Sequence, residues 1–372
     1  MQPEESIGSR SPLHAEHQGL GAKFADFAGW QMPLQYGVGV LAEHASVREK
    51  VGVFDVSHLG TVRVTGVGAA EYLTRCFTND LARIGDGRAQ YTLACNDNGG
   101  VIDDLIVYRS SNDDLLCVPN AANTAKLAHK LAEAAPIGVS VSNTHGEHAI
   151  LAVQGPRSKA VLTALGLPMP VVYLSFDAAA GSALGGEIAV CRSGYTGEHG
   201  YELILPAAQV EPVWRALLTA VEREGGLPCG LAARDTLRTE MGYPLHGHEI
   251  SAQITPVEAG LSWAVGWGKP EFWGAKVLAR QRETGAEWTS TGLVLPRGAI
   301  ARPGMSVYTS ADESPIGVVT SGTFSPTLRR PIALIRAAAT SASVASLLVD
   351  IRVRKITGDV TKPPFVATTG LR

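Results

Sequence analysis

At 372 residues the chain is too long for one ordinary hydrophobic core and predicts two or three domains of about 150 residues each. It is 45% hydrophobic and 18% charged, with a net charge of -3 and a mean hydropathy of +0.08. That is the composition of a soluble globular protein, with no electrostatic reason to expect nucleic acid or an anionic membrane as partner.

In chain order, residues 1–13 read as a frayed lead. Their sequence, MQPEESIGSRSPL, has neither an apolar h-region nor an Arg-rich amphipathic pattern, so no targeting segment is expected. LAEHASVREK (41–50) has helical composition. GVFDVSHLGTVRVTG then alternates with period two, a strand entering a turn at Gly66. A short helix follows over 68–80, with Ala69, Ala70, Leu73 and Phe77 on one side.

YTLACNDNGGVIDDLIVY carries the clearest local signal. Asn98-Gly99 between two strand-like runs predicts a hairpin with a type I′ turn, because both central residues of that turn need positive φ. Centring the turn there sets Asp104 opposite Leu93 and Ile106 opposite Tyr91. Side-chain alternation then puts Tyr91, Asp104, Ile106 and Tyr108 on one face and Asp103 on the other. A three-residue bulged turn would break this register.

LLCVPNAAN predicts a strand, and a helix then runs to about Ala135. Strands are expected over 138–153 and a helix near 157–165. EIAVCRSGYTGEHGYELILP (187–206) reads as strand, glycine loop, strand. Helices follow over 209–223 and from Ala232 to about Gly242. After Trp288 short strands alternate with Gly/Pro turns, the pattern of a small all-β barrel or sandwich. No window of ~18 apolar residues could span a bilayer.

The five cysteines, Cys76, Cys95, Cys117, Cys191 and Cys229, form no CxxC pair. They predict buried reduced thiols in a cytoplasmic protein. There is no P-loop, no dinucleotide fingerprint, no HExxH and no GxSxG elbow, so neither nucleotide nor metal is expected. His246 and His248 in HGHE read as a surface turn rather than zinc ligands.

Three constellations could carry chemistry. Asp104 with Tyr91 and Tyr108 is either the polar side of a half-solvated sheet or a carboxylate able to accept a proton among rings that hold a flat ligand. SGYTGEHGYE (193–202) is either a simple hairpin or a loop whose glycines let backbone approach a ligand, with Glu202 displayed opposite core-facing Tyr201, Leu203 and Leu205. In GLAARDTLRTE, Arg234 and Arg238 are i,i+4 on a helix. The plain alternative there is a solvated face paired to Asp235 and Glu240.

Eight stretches in order closely resemble the aminomethyltransferase family of the glycine cleavage system, the T-proteins. They are GAKFADFAGWQMPLQY (21–36), VGVFDVSHLG (51–60), GGVIDDLIVY (99–108), VPNAAN (118–123), RSGYTGEHGYEL (192–203), GLAARDTLR (230–238), TPVEAGLSW (255–263) and TSGTFSPTL (320–328). The resemblance implies an α+β, three-domain cloverleaf of antiparallel sheets with flanking helices, a central folate channel and a jelly-roll-like C-terminal β-barrel. The implied division is residues 1–57 with 148–252, then 58–147, a connecting segment 253–285, and 286–372.

It also implies the reaction. The methylene of an aminomethyl group on the lipoyl arm of H-protein passes to tetrahydrofolate, releasing ammonia and giving 5,10-methylenetetrahydrofolate. Asp104 would lie at the folate's reactive nitrogens, and Asp103 would be structural. Tyr91, Tyr108 and Tyr195 would flank the ligand, Glu202 would accept the pterin's N–H donors, and Arg234 and Asn120 would complete the site. Tyr173 keeps one of two adjacent tyrosines of the family pattern and Leu174 replaces the other, which bears on packing of the folate tail. The Ala/Ser-rich stretch 337–349 replaces a usual Gly-Asp turn and predicts irregular last turns in the barrel. The competing readings are a related folate-dependent demethylase and a non-catalytic folate-binding factor for iron–sulfur assembly. The latter's hallmark cysteine is absent, since Gly194 stands in that stretch.

Overall fold

The computed structural model describes residues 8–179, 184, 187–310, 314–341 and 343–367. Two sheets, a small three-stranded sheet and a barrel organise them. In the first large sheet, His148–Gln154 runs antiparallel between Gly200–Pro206 and Gly52–Asp55. Alternation along His148–Gln154 divides its side chains between two cores. Ala149, Leu151 and Val153 pack with Trp214 and Leu217 of the helix Val210–Arg223. Ile150 and Ala152 turn the other way, toward Phe54, Ile204 and Leu237. A strand covered on both sides is apolar at nearly every position, as this one is.

The second large sheet has the order Arg88–Cys95, Val101–Ser111, Asp114–Val118, Val62–Thr65, Ser140–Asn143. Leu105, Val107, Leu115 and Cys117 pack under the helices Ala69–Cys76 and Thr124–Ala134. Ile106, Tyr108, Leu116 and Val118 point away from those helices, into the core shared with the first sheet. The two sheets thus face each other across the middle of the molecule.

The hairpin keeps its expected register by a different route. Leu93 pairs with Asp104 and Tyr91 with Ile106, yet the turn is the three-residue kind. Gly99 N–H donates to the Asn96 carbonyl at 2.9 Å and Asn96 N–H to that of Gly100 at 2.8 Å, and Gly99 has φ +80°. A second irregularity between Ala94 and Cys95 adds the compensating residue. Two offsets cancel, and Asp104 keeps its face.

C-terminal to the connecting segment, six antiparallel strands close a barrel in the order Trp288–Val294, Arg330–Ala338, Gly317–Ser325, Ser306–Tyr308, Ser346–Ile351, Arg354–Thr361. Across the Ala/Ser-rich stretch the chain makes a 3-10 turn, Ala339–Ser341, before Ser346–Ile351; residue 342 lies outside the described residues. No described helix is long and apolar enough to cross a membrane.

Several local expectations change. Residues 8–13 are not frayed: Ser9–Arg10 pairs in parallel with Trp30–Gln31, Leu13 is fully buried, and the Ser11 hydroxyl donates to Asp55, which His17 Nε2 also contacts at 2.9 Å. Residues 1–7 lie outside the described residues. This short pairing and that of Leu227–Pro228 with Gly52–Val53 are parallel exceptions to the antiparallel rule. The HGHE turn is half-buried, with His248 Nδ1 2.9 Å from the Thr320 carbonyl of the barrel.

The charged face of the helix Leu231–Met241 is not solvated either. Arg238 is 2% exposed, donating to Glu249 at 2.9 Å and to the Ser321 hydroxyl of the barrel at 2.8 Å. Glu240, with no exposed side-chain surface, accepts from Arg48 at 2.8 Å, Ser325 at 2.5 Å and Thr327 at 3.0 Å. Burial alone would raise its carboxyl, but the hydrogen bond and charge of His44, with Arg48 and Ser325, outweigh burial and hold it at about 2, below the ordinary 4.5. A depressed carboxyl contributes stability above its unfolded pKa and loses it as pH falls through the folded one. That is about 3 kcal/mol, lost as pH falls from about 5 toward 2. The melting temperature of Glu240→Gln is therefore expected to fall less steeply than the parent's between pH 5 and pH 3; parallel curves would contradict this.

Candidate active site

A cavity of about 450 Å³ lies between the facing sheets, and all eight residues singled out from the sequence line it. From the second sheet come Tyr91, Asp104 and Tyr108, with Asn120 from the turn that follows Asp114–Val118. From the first sheet and its loops come Glu202, Tyr195 and Tyr173, and from the helix Leu231–Met241 comes Arg234.

The Asp104 carboxylate accepts from the Tyr91 hydroxyl at 3.0 Å and from Asn120 Nδ2 at 2.8 Å. Burial pushes its pKa above the usual carboxylate range against these donors, which brings a carboxyl closer to the proton affinity a general base needs at neutral pH. Burial, then the Asp104 charge, raises the Tyr91 hydroxyl, so it stays protonated and donates. Asp103 is fully buried on the other side of the strand and does not line the cavity.

On the opposite wall, alternation along Gly200–Pro206 sends Tyr201, Leu203 and Leu205 into the helix-covered core and leaves Glu202 to the cavity. The Ser193 hydroxyl donates to Glu202 Oε2 at 2.6 Å. The glycines of this loop are required by a neighbour: a Cβ on Gly194 would lie 2.0 Å from Gln154 Oε1, and one on Gly200 2.3 Å from Gln154 Nε2. Gln154 Nε2 in turn donates to the Ser193 carbonyl at 3.0 Å, tying the loop to the central strand. The Arg234 guanidinium lies 4.8 Å from the centre of the Tyr195 ring, while the Tyr195 hydroxyl donates to the Pro244 carbonyl. Arg234 Nη1 is buried without a hydrogen-bond partner.

Tyr173 is 42% exposed and stands at the mouth. Leu174 takes φ +58° and packs into the core shared by the sheets. Its N–H donates to the Arg192 carbonyl at 2.9 Å and its carbonyl accepts from Ala89 at 2.7 Å, so the backbone of this lip is held from both sides.

Among the wall residues that the sequence did not single out are His58 and Trp263. His58 is 3% exposed and its Nδ1 has no hydrogen-bond partner. Burial first, then the Arg234 charge, lowers it to about 3, so it is a neutral imidazole at physiological pH. Trp263 is 65% exposed at the cavity edge and stacks on Tyr91, ring centres 5.4 Å apart. Both sit inside the resembling stretches VGVFDVSHLG and TPVEAGLSW, which were the available signal. A lone histidine beside a strand carries no periodicity that distinguishes cavity wall from core.

Comparison with known proteins agrees along nearly the whole chain. The family described as the GCVT N-terminal domain matches residues 13–269, and that described as the glycine cleavage T-protein C-terminal barrel domain matches residues 289–367. An aminomethyltransferase of Parafrankia sp. (strain EAN1pec) is 53% identical over 361 residues, covering 97% of this chain and 98% of the relative. An aminomethyltransferase of Mycobacterium tuberculosis (strain ATCC 25618 / H37Rv) is 51% identical over 358 residues, covering 96% of each. The crystal structure of glycine cleavage system aminomethyltransferase T from Bartonella henselae superposes with a TM-score of 0.90 at 34% identity, covering 97% of this chain and 98% of that one.

Proposed function

The chain belongs to the glycine cleavage T-protein family and is an aminomethyltransferase; from that premise we propose that tetrahydrofolate binds in the central cavity with its reactive nitrogens at Asp104. The observation that carries this reading is the pair of carboxylates, Asp104 and Glu202, contributed to one cavity by two facing sheets. Glu202 suits the N–H edge of a pterin, and its Oε2 is oriented by Ser193. Asp104 suits the nitrogens that give up protons.

In the proposed reaction the aminomethyl group arrives on the lipoyl arm of H-protein. Two bonds form from folate nitrogens to the methylene carbon, and its bonds to sulfur and nitrogen break. The two protons released by the folate nitrogens leave on the dihydrolipoyl thiol and on ammonia. Asp104 accepts and passes on a proton, with Tyr91 and Asn120 holding the carboxylate in place. Tyr108 and Tyr195 bound the ligand, and Tyr173 meets its tail at the mouth.

The division into residues 1–57 with 148–252, 58–147, 253–285 and 286–372 is supported by the sheets, each of which falls within one unit. A cytoplasmic setting is supported by five buried free cysteines. Calorimetry with tetrahydrofolate after exhaustive chelation tests the binding step. Saturable heat is expected; none from a preparation that forms methylenetetrahydrofolate would overturn the proposed site.

A further inference from the structure

Asp103 and Asp104 are consecutive on one strand and face opposite ways, yet they share a hydrogen-bond donor. Asn120 Nδ2 lies 2.8 Å from Asp103 Oδ1, 2.8 Å from Asp104 Oδ1 and 3.1 Å from the Asp104 carbonyl. Asp103 also accepts the Asn120 backbone N–H at 3.0 Å and Asn123 Nδ2 at 2.7 Å. We propose that Asp103, although outside the cavity, is a positioning residue for the transfer reaction, acting through the Asn120 amide that it orients onto Asp104.

The argument is one of donors and acceptors. Three oxygens converge on one end of the Asn120 amide, so only its NH₂ end can face them, because a flip would set oxygen against oxygen. The Asp104 oxygens demand the same polarity, but the Asp104 carboxylate also takes up and gives back a proton, so its hold on the amide changes during the reaction. Asp103, fully buried and holding the same residue at backbone and side chain, keeps the amide in place throughout.

The charges are arranged to suit this role. Burial first, then the Asp104 charge, raises the Asp103 carboxyl well above the ordinary range, so Asp103 is the member of the pair that ionises last and leaves Asp104 as the base. The other groups facing Asp104 are Tyr91 from the neighbouring strand, Tyr195 from the glycine loop and His246 from the HGHE turn. The proposal rests on Asp104 being the carboxylate at the reacting nitrogens.

The test compares Asp103→Asn, Asn120→Ala, their double variant and Asp104→Asn, measuring folate affinity, kcat with loaded H-protein, and melting temperature. Asp103→Asn is expected to lower kcat on the order of 10-fold with folate affinity kept. A purely structural residue would lower the melting temperature and leave kcat at saturating folate unchanged. The double variant should be no worse than Asn120→Ala, since both act through one amide. An unchanged kcat in Asp103→Asn, or additive losses in the double variant, would overturn the proposal. Should Asp103→Asn not fold, Asn123→Ala withdraws one donor from the same carboxylate without touching the cavity. A lowered kcat there supports the role, and an unchanged one overturns it. Full activity in Asp104→Asn would instead sink the assignment of the site itself.

Discussion

Asp104→Asn is expected to cut methylenetetrahydrofolate formation by ~10² or more, the scale of general acid–base help, while the protein still folds. The substitution keeps the shape and one acceptor oxygen, which stays with Asn120 Nδ2 at the Oδ1 position, while the new NH₂ takes the Oδ2 position, where the Tyr91 hydroxyl can accept. It removes the charge and the ability to take up a proton. Burial holds the native carboxyl above its usual range, so the native state bears a cost for keeping Asp104 ionised, and the neutral amide relieves it. The melting temperature should accordingly stay level or rise. Purified variant and parent, assayed with loaded H-protein beside their melting curves, decide the matter. Parental turnover in Asp104→Asn would show that the proton goes elsewhere.

Glu202→Ala should weaken tetrahydrofolate binding strongly and slow turnover little once folate saturates. Glu202 is 7% exposed, and the ligand it faces loses a charged, largely desolvated acceptor. Removing such a partner costs roughly 2 to 4 kcal/mol, which is about 30- to 700-fold in Kd. Arg234 belongs to the same wall, with Nη1 buried and unpartnered, and its loss should likewise appear in affinity more than in kcat. Equal folate affinity in Glu202→Ala and parent would rule out the binding role. A collapse of kcat at saturation would move Glu202 into the chemistry.

Much of this was legible before any coordinates. The alternation of GGVIDDLIVY placed Asp104 with Tyr91 and Tyr108, and that of GYELILP displayed Glu202 opposite the core. Both patterns follow from a backbone property of two-residue period, which needs no knowledge of what the strand packs against. The register survived even though the turn type differed, because the apolar set Leu105 and Val107 must reach the helix-covered core. A one-residue slip would have exposed it. The helices Val210–Arg223 and Leu231–Met241 were likewise readable from spacing.

Tertiary structure alone decided which of those faces meet. Nothing local brings residue 104 to the same cavity as residues 202 and 234, since that requires two sheets to share a core through Tyr108, Ile150 and Ile204. The helix Leu231–Met241 looked amphipathic with a wet charged face, yet Arg238 and Glu240 are buried, because the barrel supplies Ser321, Ser325 and Thr327 as partners. His58 and Asn120 tell the same story at single residues. A histidine or an asparagine has no intrinsic preference between core, surface and site; the neighbours that fold against it make the choice. Sequence determined the strands, their registers and the residues each face presents, because those follow from short-range backbone geometry. The cavity and the shared amide between the two aspartates came only with long-range packing, whose partners lie tens to hundreds of positions away.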